Sequence, residues 1–165
     1  VAKKKEKTKF KFKSTERFLK PDPRYQDLVV SKFINGIMKD GKKSVAEGIF
    51  YDSLEIIRKK VKDDDPLQVF HQALNNVKPE TEVRSKRVGG TTYQVPIPIN
   101  SKRQQTLAIR QLLIASRSRK GMPMAQRLAE ELLAAYKQEG SAIQWRDNTH
   151  KMAEANKLFA HFAFR

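Results

Sequence analysis

The sequence contains no cysteine among its 165 residues. This absence excludes disulfide bonds, zinc fingers and thiol catalysis, which all depend on cysteine sulfur. Long apolar runs are missing as well, and none approaches the roughly 20 residues that a membrane-spanning helix needs. Histidine occurs 3 times, and aromatic residues make up only 8% of the chain. Soft metal ligands are therefore scarce, and we expect neither a metal site nor a cofactor.

Acidic residues are also in short supply, because 18 Asp and Glu face 34 Lys and Arg, which gives a formal net charge of +16. A compact chain with this excess repels itself, so it usually has a polyanionic partner. Nucleic acid is the favoured partner. An anionic membrane surface is the weaker alternative, since no amphipathic segment combines a basic face with an apolar face rich in Trp and Phe. We therefore expect no membrane partner.

The first 24 residues form a basic segment in which ten Lys or Arg face three acids. Few apolar side chains accompany them, so burial cannot offset the entropy of ordering the segment. We interpret residues 1–24 as a tail that becomes ordered on RNA. The basic residues from which we expect contacts are Lys3, Lys4, Lys5, Lys20 and Arg24. Phe10 and Phe12 either stack on bases or belong to a solvated arm.

A second basic tract runs from residue 83 to residue 129 and contains no acid. Its basic residues are Arg84, Lys86, Arg87, Lys102, Arg103, Arg110, Arg117, Arg119, Lys120 and Arg127. A merely solvated surface usually mixes both signs of charge. We therefore interpret the tract as a footprint for RNA, whereas the acids collect elsewhere, chiefly at Asp63-Asp64-Asp65 and around Glu130.

Apolar residues recur at helical spacing through most of the remaining chain. The pattern predicts a mainly α fold, a bundle of about six helices that forms a single domain over residues 25–165. The first helix spans residues 27–39 and ends at Asp40-Gly41. Ser44-Val45-Ala46-Glu47 and Ser141-Ala142-Ile143-Gln144 both match the capping box, in which two side chains satisfy free amides at a helix start.

The later helices are bounded by Pro and Gly. Asp65-Pro66 opens the third helix, with Asp as the cap and Pro in the first turn. The fourth helix begins at Ser101 and is broken at Gly121. The fifth helix spans residues 123–139, and the last runs from Ser141 toward His161.

The apolar period changes from 3.6 to 2 between residues 83 and 99. Two segments, 83–88 and 91–99, flank Gly89-Gly90, which is the pattern of a two-residue β-hairpin. Pro96 and Pro98 confine the second segment to a sheet edge. The first segment has charged or polar side chains on both faces, so we predict one basic hairpin that protrudes from the helical body.

No motif in the sequence predicts catalysis. His150 and Glu154 stand four residues apart on a helix, but two ligands without a third nearby make a poor metal site. Gly89-Gly90 joins two strands and lacks the Lys and the Ser or Thr of a phosphate-binding loop. Asp63-Asp64-Asp65 precedes a helix opened by Pro, where adjacent carboxylates are usually caps. An enzyme is therefore the least favoured class, and a free-standing nucleic-acid chaperone or regulator is the main alternative to a structural RNA-binding protein.

Several short sequence blocks together closely resemble the family of the seventh protein of the small ribosomal subunit, in its bacterial and organellar form. The blocks are, in order, Pro21-Asp22-Pro23, Asp40-Gly41-Lys42-Lys43-Ser44, Arg84-Ser85-Lys86-Arg87-Val88-Gly89-Gly90, Tyr93-Gln94-Val95-Pro96, Leu107-Ala108-Ile109-Arg110 and His150-Lys151-Met152-Ala153-Glu154-Ala155-Asn156-Lys157. The similarity extends over roughly residues 21–162. So many blocks in sequence order leave little room for chance.

The resemblance implies a structural role in the ribosome. Members of this family bind the 3′ major domain of small-subunit ribosomal RNA and nucleate assembly of the subunit head. They lie at the exit-tRNA site, where the hairpin and the C-terminal helix approach tRNA and mRNA. They also contact two neighbouring small-subunit ribosomal proteins, the ninth and the eleventh. The family's six helices and hairpin agree with the elements predicted above.

Carried over by position, the resemblance implies two sets of contact residues. The ribosomal RNA set contains, besides the tail residues named above, Lys42, Lys43, Arg84, Lys86, Arg103, Arg110, Arg117, Arg119, Lys120 and Met124. The set near tRNA and mRNA contains Arg87, Val88, Gly89, Gly90, Thr91, His150, Lys151 and Asn156.

Four features depart from the usual bacterial pattern. Gln111 replaces a Trp, Trp145 stands where a basic residue is common, the tail is rich in Lys rather than Arg, and the chain ends in Phe162-Ala163-Phe164-Arg165. These departures slightly favour a ribosome in the mitochondrial matrix over one in the bacterial cytoplasm or the plastid stroma. On that hypothesis the encoded precursor carries an Arg-rich, acid-poor extension before Val1.

Overall fold

The computed structural model describes residues 18–61 and 64–163. The chain divides into two compact units, Val1–Phe33 and Ile34–Arg165. The elements follow in the order α1 (Leu28–Ile37), α2 (Lys43–Lys60), α3 (Pro66–Val77), β1 (Thr81–Val88), β2 (Thr91–Pro98), α4 (Ser101–Ser118), α5 (Met124–Tyr136), α6 (Ser141–Ala155) and a C-terminal 3₁₀ helix (Lys157–Phe162). The prediction of a mainly α fold with one β-hairpin is confirmed.

Within the first unit, Asp side chains organise the turn that leads into α1. Asp22 is buried, and its Oδ2 accepts hydrogen bonds from the backbone amides of Arg24 and Tyr25 at 3.1 and 3.0 Å. Asp27 accepts the amide of Val29 at 2.6 Å and thereby satisfies one of the free amides at the helix start. Residues 1–17 of the predicted tail, with Lys3, Lys4, Lys5, Phe10 and Phe12, lie outside the described residues.

Helix α5 is the centre of the second unit and packs against α2, α3 and α4. Its apolar face, formed by Leu128, Ala129, Leu132 and Ala135, is fully buried. The predicted apolar faces of α2 and α3 also meet, and the Phe50 and Phe70 rings contact edge to face with centroids 5.3 Å apart. The helical periodicity therefore identified the core of this unit correctly.

The predicted start of α3 is confirmed by its capping geometry, whereas α1 ends at Ile37, two residues before the predicted end at Lys39. Asp40 and Gly41, with φ of 53° and 72°, adopt the left-handed conformation that follows α1. Asp65 caps α3 by accepting the amide of Leu67 at 3.4 Å, with Pro66 in the first position.

Both predicted capping boxes are wrong. Helix α2 begins at Lys43, so Ser44 already lies inside it, and its cap residue Lys42 makes no side-chain capping bond. Helix α6 begins at Ser141, and its cap residue Gly140 has no side chain to offer. The free amide of Ala142 is satisfied instead by Glu131 of α5, at 3.1 Å. A tertiary contact has thus taken the place of the local one.

The β-hairpin has the predicted register and turn. Val88 pairs with Thr91, and Gly89 and Gly90, with φ of 58° and 88°, close the two-residue connection. The prediction that the hairpin stays out of the core is wrong at its base, where Val95 is fully buried and β1 packs against α6. The reason is that the apolar face belongs to β2, whereas the prediction rested on β1 alone. The tip is exposed at Gly89, Gly90 and Thr91.

The last predicted helix is divided in two. Helix α6 ends at Ala155, and the chain continues as the 3₁₀ helix to Phe162. At the break, the side-chain amide of Asn156 donates to the carbonyl oxygen of Met152 at 2.8 Å. The backbone amide of Asn156 donates to the same oxygen at 3.3 Å, and beyond this residue the chain leaves the α-helical path. Among residues 18–61 and 64–163, no helix has both the length and the apolar character needed to cross a bilayer.

Candidate nucleic-acid interface

An apolar groove with a cationic rim lies where the α1–α2 turn, the end of α4 and the start of α5 meet. Its volume is about 380 Å³. Apolar side chains line it, among them Ile37, Met38, Val45, Ala46, Ile49 and Met124. The cations that line it are Lys39, Lys42, Arg117 and Arg127. The groove therefore offers an apolar surface for a flat ring beside positive charge for a phosphate.

The groove brings together three residues that the sequence predicted as RNA contacts. Lys42 comes from the α1–α2 turn, Arg117 from the last turn of α4, and Met124 begins α5. Lys39 and Arg127 also line the groove but were not predicted as contacts. Arg127 belongs to the acid-free tract, so the charge pattern of the sequence could have identified it as a contact residue.

The two arginines of the groove are held in place by backbone carbonyls. Arg117 Nη2 donates to the carbonyl oxygens of Gly36 and Ile37 at 3.1 and 3.3 Å. Arg127 Nη1 donates to the carbonyl oxygen of Arg119 at 2.8 Å, while its Nε is buried with no hydrogen-bond partner in the described part of the chain. Since carbonyls are neutral acceptors, both guanidinium groups keep their full positive charge beside the groove.

Arginines also line one face of α4. Arg103, Arg110 and Arg117 are spaced seven residues apart, which is nearly two helical turns, and all three are exposed. Successive arginines are therefore about 10 Å apart along the helix. Arg110 has no side-chain partner among the described residues. This face presents positive charge that leads from the groove toward the hairpin.

Glu82 holds two predicted contact residues at the hairpin base. Arg84 pairs with one of its carboxylate oxygens, and Arg103 Nη2 pairs with the other at 3.3 Å. The Glu82 side chain is only 13% exposed, whereas those of Arg84 and Arg103 are 58% and 44% exposed. The carboxylate thus joins β1 to α4. Its role was not predicted, because a single acid just before the acid-free tract gives no sign of its partners.

Arg119 forms ion pairs within the protein. Its Nη1 lies 3.2 Å from Glu130 and its Nη2 lies 2.8 Å from Glu131, which is fully buried. Lys43 pairs more loosely with Glu47, at 3.7 Å on the surface of α2. Lys120 is exposed beside Gly121. Of these cations, Arg119 is the one that pairs with a buried carboxylate.

The hairpin residues divide between tip and body. Arg87 is exposed beside Gly89, Gly90 and Thr91, whereas Val88 is half-buried. Lys86 instead reaches back to the body, where its Nζ donates to the carbonyl oxygen of Phe162 at 2.7 Å.

The predicted residues of α6 lie at its C-terminal half. His150 Nε2 accepts the backbone amide of Glu80 at 3.0 Å, so this histidine fixes the start of the hairpin. Lys151 is exposed, and Asn156 bonds to Met152 at the helix end. Within residues 18–61 and 64–163, no group of three or more His, Cys, Asp or Glu could hold a metal ion.

In the first unit, Lys20 and Arg24 are exposed, and the Arg24 guanidinium lies 5.8 Å from the Tyr25 ring centroid.

Comparison with known proteins identifies the family. The model of a family described as ribosomal protein S7p/S5e matches residues 9–157, which include the groove, the arginines of α4, the hairpin and α6. The chain belongs to the ribosomal protein S7p/S5e family. The predicted resemblance to the seventh protein of the small ribosomal subunit is confirmed. Family membership also makes the chain a structural ribosomal protein and not an enzyme.

Bacterial relatives resemble this S7 family member over almost their whole length. It is 58% identical to the small ribosomal subunit protein uS7 of Rhodopirellula baltica over 144 residues, 87% of this chain and 92% of the relative. It is 50% identical to uS7 of Granulibacter bethesdensis over 151 residues, and 51% identical to uS7 of Thermotoga maritima over 150 residues. In both cases the match covers 91% of this chain and 96% of the relative. These relatives do not support the mitochondrial compartment.

Proposed function

We propose that this S7 family member binds the 3′ major domain of small-subunit ribosomal RNA through the groove and the arginine face of α4, and thereby nucleates assembly of the subunit head. The observation that carries the proposal is the convergence of Lys42, Arg117 and Met124 on one apolar groove. The combination fits nucleic acid, since bases stack on apolar surfaces while cations meet phosphates.

The described contact residues in this proposal are all exposed cations. Lys42, Arg110 and Lys120 are exposed and have no side-chain partner in the described part of the chain. Arg103 and Arg84 share one carboxylate, so their pair keeps a net positive charge. Lys43, Lys20 and Arg24 complete the described part of the proposed footprint, together with Lys3, Lys4 and Lys5 outside it.

We further propose that the hairpin tip and the C-terminal half of α6 lie beside exit-site tRNA and mRNA. Arg87 and Lys151 supply exposed positive charge in these two places. Gly89, Gly90 and Thr91 let the tip approach a nucleic-acid backbone closely, because their side chains are absent or small. Val88 is half-buried beside the tip, while His150 and Asn156 form hydrogen bonds at the start of the hairpin and at the end of α6. The proposed protein neighbours are the ninth and eleventh proteins of the small subunit.

The proposed compartment is the bacterial cytoplasm, since the relatives reported above are bacterial proteins. The mitochondrial matrix and the plastid stroma are the alternatives. Separation of the cells that make this protein into cytoplasm and organelles, followed by sedimentation of their ribosomes, distinguishes the three compartments.

The RNA-binding proposal is tested with purified protein and a transcript of the 3′ major domain. Lys42→Ala should weaken binding and reduce the steepness of log K against log salt by about 0.7–0.9, as expected for one lost phosphate contact. The matched control is Lys137→Ala, an exposed lysine just beyond the C-terminal end of α5, whereas Met124 begins that helix. Because α5 rises about 1.5 Å per residue, Lys137 lies about 15 Å along the helix from Arg127, the groove residue of α5 nearest to it. Equal effects of the two substitutions would contradict the proposal.

A further inference from the structure

The C-terminal 3₁₀ helix contacts the hairpin at one position of its register. Lys86 and Tyr93 are cross-strand partners, so their side chains leave the same face of the sheet. Lys86 Nζ donates to the carbonyl oxygen of Phe162 at 2.7 Å. The Tyr93 ring centroid lies 5.2 Å from that of Phe159 and 5.1 Å from that of Phe162. We call these four residues the hairpin clamp.

The clamp holds both strands just below the tip. Only the pairs Arg87–Thr92 and Val88–Thr91 separate it from Gly89-Gly90. A second attachment lies at the hairpin base, where the Glu80 amide donates to His150. Since a strand rises about 3.3 Å per residue, the two attachments are about 20 Å apart along the hairpin. Attachment at two well-separated points fixes the direction of the hairpin as well as its position.

The polar contact of the clamp differs from a phosphate contact. Lys86 is partly buried, and its ammonium meets a carbonyl oxygen at the C-terminal end of the 3₁₀ helix, where the backbone dipoles favour positive charge. Arg87 follows directly in the strand, so its side chain leaves the opposite face, and it is exposed. Neighbouring cations of the hairpin are thus directed to different partners.

We propose that Lys86 is a positioning residue and that the C-terminal 3₁₀ helix, through the clamp, sets the direction in which the hairpin tip is presented to nucleic acid. The inference rests on the proposed function of the tip. An isolated two-stranded hairpin is marginally stable, so without the clamp the outer half of this one has little to order it. Lys86 therefore acts on nucleic acid through the placement of Arg87 and the tip.

The first test compares Lys86→Met with Arg87→Met in the full chain. Each substitution removes one positive charge and keeps an unbranched side chain. Binding of exit-site tRNA to small subunits assembled with each variant is measured, because the tip is proposed to lie beside that tRNA. Arg87→Met should weaken tRNA binding. Lys86→Met should also weaken it in the otherwise unchanged chain but add little in the Arg87→Met background, because Lys86 acts through the placement of Arg87. Losses that simply add in the double variant, as for two independent phosphate contacts, overturn the assignment of Lys86.

The second test measures amide hydrogen exchange of the hairpin without RNA, so its result does not depend on the proposed function. The double variant Phe159→Ala/Phe162→Ala should speed exchange at Ser85–Gln94 by about tenfold or more, because two ring contacts with Tyr93 are lost. Exchange in α2, α3 and α5 should not change. Unchanged exchange in the hairpin overturns the clamp. Faster exchange together with no effect of Arg87→Met supports the clamp and contradicts the proposed role of the tip.

Discussion

Replacement of Glu131 is the most direct test of how the second unit is held together. Its Oε2 accepts hydrogen bonds from Arg119 Nη2 and Nε at 2.8 and 3.1 Å. Its Oε1 accepts the Ala142 amide at 3.1 Å and the Ser141 hydroxyl at 3.3 Å. One buried carboxylate therefore joins the segment after α4 to α5 and caps α6. The adjacent Glu130 provides a natural control, because it pairs with the same arginine but is 32% exposed.

The loss of stability expected for Glu131→Ala follows from the groups that lose their hydrogen-bond or ion-pair partner. The buried Ala142 amide loses its partner, which costs about 1–3 kcal/mol. Loss of one member of a buried ion pair costs about 3–5 kcal/mol when the other member is buried too. Arg119 is 34% exposed and keeps Glu130, so its share is smaller. We expect the free energy of unfolding to fall by about 3 kcal/mol, a decrease in Tm of about 6–12 °C for a chain of this size.

The control Glu130→Ala removes only a half-exposed pair and should cost at most about 1 kcal/mol. Glu131→Gln should fall between the two, since an amide oxygen still accepts the Ala142 amide but the charge is lost. Urea unfolding followed by circular dichroism measures all three variants, and unchanged m values show that the same transition is compared. Similar losses for Glu131→Ala and Glu130→Ala would refute the argument that the buried carboxylate organises this region.

Three further predictions concern charge and the hairpin. Replacing Lys42 and Lys43 together by Ala should weaken binding to cognate and non-cognate RNA alike and reduce the salt slope by about 1.4–1.8, with helicity unchanged by circular dichroism. The Tyr136 hydroxyl donates to Asp64 at 2.8 Å, and this bond raises the pKa of Tyr136, so Asp64→Asn should return the tyrosinate titration, measured by ultraviolet absorbance, toward pH 10. Replacing Val88–Thr91 by two glycines should change stability by no more than about 0.5 kcal/mol. In assembled subunits, however, it should speed release of exit-site tRNA, and an unchanged release rate would contradict the proposed role of the tip.

Local patterns predicted the elements of the fold because their causes are local. The apolar faces of α2 and α3 follow from helical spacing, and the Asp65 cap and the Gly89-Gly90 turn each depend on residues a few positions apart. The capping boxes failed for the opposite reason. Ser141 has the right neighbours in sequence, but Glu131, ten residues earlier, reaches the same helix start from α5. A pattern of four residues contains no information about such a competitor.

The hairpin base could not be predicted because its partners are distant in sequence. Val95 and Tyr93 form an apolar face only once α6 and the 3₁₀ helix are placed against β2. Read alone, the hairpin looks like an exposed ribbon. The break at Asn156 was equally hidden, since helical spacing continues across it and a single side-chain bond to Met152 accompanies the turn.

The charge of the acid-free tract indicates the class of ligand, but it does not show which cations are available to contact that ligand. The absence of acids between residues 83 and 129 correctly suggested that the partner is a polyanion, yet the acids that bind these cations come from elsewhere in the chain. Glu82 holds Arg84 and Arg103, while Glu130 and Glu131 hold Arg119. A count of charges along the sequence gives all these arginines equal weight.

The cations of the folded chain fall into two groups, those that bind other parts of the protein and those that remain for a ligand. Arg119 is neutralised within the body, and Lys86 is turned toward the 3₁₀ helix. Lys42, Arg110 and Arg87 remain exposed without a side-chain partner in the described part of the chain. Because a phosphate contact needs charge that is not already compensated, these last residues should govern the salt dependence of RNA binding. Substitutions of Arg119 or Lys86 should instead change the stability of the protein or the position of the hairpin. Measuring both the salt dependence of RNA binding and the free energy of unfolding therefore assigns each cation to one role.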